Sequence, residues 1–193
     1  MKRLNILFIV LILVISINAQ NNWAFDVAHS SVNFTVSHMV ISEVDGRFDK
    51  FEGSVSNLKD DFSDAKIEFT IDVASVNTGD EKRDTHLKNV DFFDAEKFPK
   101  MKFASKSMKK VSGNKYKLTG SFTMHGVTKD VTLDAKYGGT IKDPWGNTKA
   151  GFKITGVLNR TDWGLKYNSV MEAGGLMIGE EIEITCKIEL IKK

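Results

Sequence analysis

One cysteine, two prolines and no useful surplus of either charge are what this chain of 193 residues has least of. With Cys186 alone no intrachain disulfide can form, so burial and main-chain pairing must hold the fold. Pro99 and Pro144 are too few for a proline-rich linker, and no segment is of low complexity or repeats at a fixed period. Lysine and arginine number 27 against 25 aspartates and glutamates, and Lys2 and Arg3 belong to an N-terminal leader whose loss leaves 25 of each. A neutral chain offers no general argument for nucleic acid or an anionic membrane. The histidines His29, His38, His86 and His125 include no i, i+4 pair, and no metal-site spacing with cysteine exists. No G-x-S-x-G elbow or phosphate loop is present either. Nothing in the sequence forms a catalytic constellation.

Long apolar runs are missing except at the start. Lys2 and Arg3 precede Leu4 to Ile17, which is apolar but for Asn5 and Ser16, and Ile17-Asn18-Ala19 offers a small residue for cleavage. This is the pattern of a secretory signal peptide, and the run falls short of the roughly 20 apolar residues of a membrane span. Residues 1–19 are therefore expected to be removed, leaving residues 20–193 as one exported, periplasmic domain without a stable membrane anchor.

What the chain does have is alternation. From Glu180 to Leu190, Ile182, Ile184, Cys186, Ile188 and Leu190 face one way and Glu181, Glu183, Thr185, Lys187 and Glu189 the other. Side chains in a strand reverse every residue, so this segment has one dry and one wet face. The pattern recurs at Val32/Phe34/Val36, Ile67/Phe69/Ile71, Met101/Phe103, Tyr116/Leu118, Val131/Leu133/Ala135/Tyr137 and Phe152/Ile154. One long antiparallel sheet of this kind is best closed into a barrel, which removes its edges. Between Phe48 and Phe51 the apolar register slips, which predicts a bulge at Asp49-Lys50. Asn77 to Phe93 is polar and lacks period two; a helical turn or two near residues 80–90, capped by Asp80, suits it. His125-Gly126 and Asp143-Pro144-Trp145-Gly146-Asn147 read as turns. The expectation is all-β: an extended eight-stranded antiparallel barrel with one short helical excursion. A membrane barrel is the rival, but outward charges such as Lys66, Glu68 and Asp72 suit water.

The inside of such a barrel is the candidate site. Phe34, Val36, Ile67, Phe69, Phe103, Phe122, Phe152, Ile154, Ile182 and Ile184 sit mid-strand in the apolar register and are expected to line an apolar cavity. Met171 and Leu176, in the glycine-rich loop from Trp163 to Gly179, are candidates for a gate over it. Cys186 reads as a buried, inert thiol. Arg160, beside Asp162 and Trp163 at a strand end, needs a partner: a carboxylate that closes the barrel end, with Asp162 or the Asp84–Asp94 segment nearest to hand, or the anionic head of a ligand. His29 and His86 are the other candidate polar groups for a head group or barrel end. No metal and no cofactor are expected.

Several motifs in order resemble the YceI family of exported, lipocalin-like proteins. They are Phe25-Asp26-Val27-Ala28-His29-Ser30, Phe34-x-Val36-x-His38, Gly46-Arg47-Phe48 with Phe51-x-Gly53, and Thr85-His86-Leu87-Lys88 with Asp91-Phe92-Phe93-Asp94. Phe98-Pro99 with Phe103-x-Ser105, the stretch from Gly120 to Lys129, Arg160-Thr161-Asp162-Trp163-Gly164 and Gly179-Glu180-Glu181-Ile182 complete the set. The resemblance implies a lipocalin-like barrel with an elongated cavity for a polyisoprenoid, quinone-like or other long-chain lipid, homodimers, and no enzymatic activity. Trp163 departs from the phenylalanine frequent in that turn and puts the length of the cavity in question. The rivals are a lipid-modifying enzyme using a histidine and a carboxylate at the cavity, and a filled barrel acting through its surface as a structural or stress-protective module.

Overall fold

The computed structural model describes residues 20–170 and 176–193; residues 1–19, expected to be a leader, and Met171 lie outside the described residues. Strands β1 (Asn21–Phe25), β2 (Ser31–His38), β3 (Ser42–Phe48), β4 (Phe51–Asn57), β5 (Lys66–Asp72) and β6 (Val76–Asn77) precede helix α1 (Glu81–Lys88). Then follow β7 (Lys100–Ser112), β8 (Lys115–Met124), β9 (Val127–Lys142), β10 (Thr148–Asn159) and β11 (Ile178–Lys192).

The ring runs β1-β4-β5-β7-β8-β9-β10-β11 and returns from β11 to β1, so eight antiparallel strands close on themselves. β2 and β3 continue the walls of β1 and β4. Val27–His29 turns once between β1 and β2, and Asp49-Lys50 breaks β3 from β4 where the register slip predicts a bulge. β11 is long enough to pair with β1 at one end, Phe25 opposite Leu190, and with β2 at the other, Phe34 opposite Ile184.

The local chemistry explains the punctuation. Asp80 accepts a hydrogen bond from the Arg83 main-chain N–H at 3.0 Å, which caps α1 in the expected place. His125 (φ 50°) and Gly126 (φ 75°) both adopt the left-handed conformation a two-residue turn between β8 and β9 requires. Gly46 and Gly120 are wanted for close approach: a Cβ at either would collide with the ring of Phe34 or Phe103 on the neighbouring strand. The rings therefore lie flat on the wall instead of crossing the barrel.

The two ends differ. At one end, the loop between β4 and β5 folds inward and buries Phe62 against Trp23, Tyr137 and Phe152, with ring centroids 5.0–5.5 Å apart. The Tyr116 hydroxyl donates to the Asp61 carbonyl at 2.8 Å and pins that loop. This end is closed. The other end has no such plug among the described residues and in that sense is open; it carries the β2–β3 turn, α1 and the chain that follows it, and residues 160–170 and 176–178.

Candidate ligand cavity

Between the aromatic plug and the open end runs a cavity of about 230 Å³. Ile182, Ile184, Cys186, Ile188 and Leu190 of β11 all face it, so it extends over eight residue steps, about 26 Å along the strand and about 20 Å along the barrel axis after the tilt. A space this long and below the roughly 300–1,000 Å³ of ordinary small-ligand sites is a slot. Asn33 and Arg160 bring the only amide and charged side chains that line it among the described residues.

Phe34, Val36, Ile67, Phe69, Phe103, Phe122, Phe152, Ile154, Ile182 and Ile184 all face this slot. Leu176 does not; it is half-buried and bridges Val170 across the loop. The alternation passes over Phe62 in the plug and Leu87, Phe92, Phe93 and Leu165 around the open end, which come from α1 and loops and have no period to betray them. Trp163 is buried but outside the slot, its indole N–H donating to the Phe122 carbonyl at 3.2 Å. The larger ring thus fills wall and does not shorten the cavity.

The expected carboxylate partner of Arg160 is not there. Asp162 is exposed and pairs with Lys129 at 2.7 Å on the outside, and no carboxylate of the described residues lies within 4 Å of the guanidinium. Buried Arg160 instead donates to main-chain carbonyls: Nε to Gly179 at 2.8 Å, Nη2 to Ile178 at 3.3 Å, and Nη1 to Leu165. Its fork therefore clamps the segment after β10 to the start of β11. Burial pushes its pKa down, opposed by the charge of Glu180. Three of the five N–H donors of a guanidinium are used.

The histidines stay out of the slot. His86 stands at the open end, edge-on to Phe92 and Tyr167 at 5.0 and 4.8 Å, with Asp91 3.3 Å from Nε2. His29 is on the outer wall, 2.9 Å from Asp26. Asp26, His29 and Glu189 form the one grouping of metal-ligating side chains among the described residues, and the Lys149 ammonium already occupies it, 2.9 Å from Asp26 and 2.7 Å from Glu189. Those contacts hold the Asp26 carboxyl below, and the Lys149 amine above, their ordinary pKa values. Cys186 opens only to the slot, and loss of water pushes its thiol up to about 12.

A closed antiparallel barrel with one open end and an apolar slot is a fold that comparison can place. The model of the YceI-like domain matches residues 23–190. This chain belongs to the YceI-like family. A UPF0312 protein of Staphylococcus aureus is 37% identical over 169 residues, covering 87% of this chain and 96% of its own length. The crystal structure of Campylobacter jejuni YCEI protein superposes with a TM-score of 0.70 at 35% identity, over 81% of this chain and 90% of that one. A polyisoprenoid binding domain from Saccharophagus degradans has the same fold at 15% identity, with a TM-score of 0.68 over 89% of this chain and 98% of that one.

Proposed function

We propose that this YceI-like protein is a periplasmic carrier that holds one long-chain lipid, of the polyisoprenoid or quinone-like kind, tail-first in the slot. The observation that carries this reading is the slot itself: long, narrow, almost wholly apolar and blind at one end. In water each methylene-sized group of such a tail costs about 0.8 kcal/mol, so enclosing even part of it supplies ample affinity. Twelve phenylalanines outside the leader suit this work, because flat rings form a smooth wall that does not prescribe the chemistry of the tail. The polyisoprenoid-binding neighbour of the same fold supports the ligand class. Residues facing the slot, from Val36 at the open end to Phe152 at the plug, are the proposed contacts.

The almost wholly apolar lining supports reading the protein as a binder. Export by the leader, loss of residues 1–19 and assembly as a homodimer complete the proposal. The test is mass spectrometry of an organic extract of the protein purified from its own periplasm. A stoichiometric long-chain lipid, lost in a folded Phe69→Asp variant, is the expected result. A protein that comes out empty and takes up no added polyisoprenoid would overturn the reading.

A further inference from the structure

The neutral total of charges conceals a local cluster of lysines on one side of the barrel. At the closed end, one loop and the ends of β7 and β9 each set an exposed apolar side chain beside an exposed lysine: Leu58 with Lys59, Val111 with Lys110, and Ile141 with Lys142. Trp145, in the β9–β10 turn, is 82% exposed. It is not on a loose loop, because Asp143 accepts hydrogen bonds from the main-chain N–H groups of Trp145 and Asn147 at 2.9 and 2.8 Å.

The stem of the same hairpin carries a second anomaly. Lys115 on β8 stands directly opposite Lys136 on β9, Lys136 opposite Lys153 on β10, and Lys153 opposite Lys187 on β11. Four exposed ammonium groups thus cross adjacent strands within about 14 Å. Like charges directly opposed weaken a sheet. None of the four has a carboxylate of the described residues within 4 Å; the two in the adjoining rows, Asp134 and Glu189, are engaged by Lys117 and Lys149 at 2.7 Å. The open end differs. Val40, Ile41, Val90 and Val170 are exposed there, but Glu43, Asp91, Asp94 and Glu180 stand among Lys88, Lys97 and Lys166, with no run of lysines facing one another.

We propose that the β9–β10 side of the closed end docks on an anionic lipid bilayer. Trp145, Ile141 and Val111 enter the interface, where an indole sits at head-group depth, and the ladder and rim lysines rest on lipid phosphates. Charge selects the β9–β10 side of the closed end, because its four ladder lysines have no carboxylate partner among the described residues. Asp60, Asp61 and Asp64 lie on the β4–β5 loop, and acids and bases are mixed around the open end. This inference stands independently of the ligand assigned to the slot.

Sedimentation of the mature protein with vesicles of one part phosphatidylglycerol to three parts phosphatidylcholine tests it. Trp23 and Trp163 are buried, so a blue shift of tryptophan emission on binding reports Trp145 directly. Binding is expected to anionic vesicles and not to pure phosphatidylcholine, to fade with added salt, and to weaken roughly thirtyfold in a Lys136→Gln/Lys153→Gln double variant of unchanged melting temperature. Trp145→Ala should weaken it as well, whereas Ile41→Asp at the open end should not. Equal binding to neutral vesicles, full retention in the double variant, or loss through Ile41→Asp would each overturn the proposal. So would tight binding to heparin with no vesicle binding, which would make the occupant a soluble polyanion, or a dimer abolished by Trp145→Ala, which would make it a second copy.

Discussion

Trp23 donates its indole N–H to the side-chain carbonyl of Asn57 at 2.7 Å, and both residues are buried at the closed end. Asn57 in turn donates its amide to the Lys59 carbonyl at 2.6 Å, which starts the β4–β5 loop on the path that drops Phe62 between Trp23 and Phe152. One amide thus ties the first strand to the plug.

Loss of that amide should loosen the plug. Asn57→Ala leaves a buried indole N–H and a carbonyl without partners and is expected to cost about 1–3 kcal/mol. Phe62→Ala, which empties the centre of the aromatic cluster, should cost about 3–5 kcal/mol. Urea unfolding monitored by tryptophan fluorescence measures both, and a Phe62→Ala effect below that of Asn57→Ala would mean the cluster is not the main support.

Arg160 should matter for stability through its shape as well as its charge. Arg160→Ala strands the carbonyls of Leu165, Ile178 and Gly179, and a loss of about 3 kcal/mol is expected. Arg160→Lys should recover less than half, because an ammonium cannot reproduce a planar fork that spans two elements. Thermal unfolding of both variants checks this; full rescue by lysine would show that positive charge alone suffices.

Below pH 4 the outer wall should weaken at one cluster. The Lys149 ammonium holds the Asp26 carboxyl below its ordinary pKa, so its contribution is present above the unfolded value near 3.9 and disappears as pH falls through the lower folded value. Asp26→Asn should reduce stability at pH 7 and flatten the acid limb of a stability–pH curve. An unchanged acid limb would place the acid sensitivity elsewhere.

Cys186 offers a readout of the slot. Its thiol ionises near 8.5 in the unfolded chain but is pushed up to about 12 in the fold. A raised thiol pKa means stability that is complete below 8.5 and declines as pH rises from there. Cys186→Ala should flatten the decline between pH 8.5 and 10, a window chosen below the titration of lysine. At pH 7.5 a small apolar maleimide should label Cys186 far more slowly than the unfolded chain, and more slowly still once a lipid occupies the slot. Labelling at the unfolded rate would mean that water reaches the thiol freely.

Alternation made the strands legible, because a period of two is written locally and needs no partner to be read. The Asp80 cap, the His125-Gly126 turn and the position of the irregularity at Asp49-Lys50 were legible for the same reason, each resting on nearby residues; that the irregularity is a break between two strands and not a bulge in one was not. Phe62 was not, since it lies among polar residues in a loop and is buried only by the far ends of three strands. The partners of Arg160 are not legible, because main-chain carbonyls leave no trace in a sequence, whereas a nearby Asp162 invites pairing. The lysine ladder was invisible in composition. Only the register of β8 to β11 brings Lys115, Lys136, Lys153 and Lys187 side by side.

The plug around Phe62 turns the barrel into a cul-de-sac. A tube open at both ends would let a chain thread through in either direction and leave ahead of the next one. A dead end allows one doorway, so the first carbon to enter is the last to depart, and exchange cannot proceed by one molecule pushing another out from behind. On the proposed function each occupant would withdraw completely before its successor begins, so release would be the slow step and residence would lengthen with every carbon past the rim.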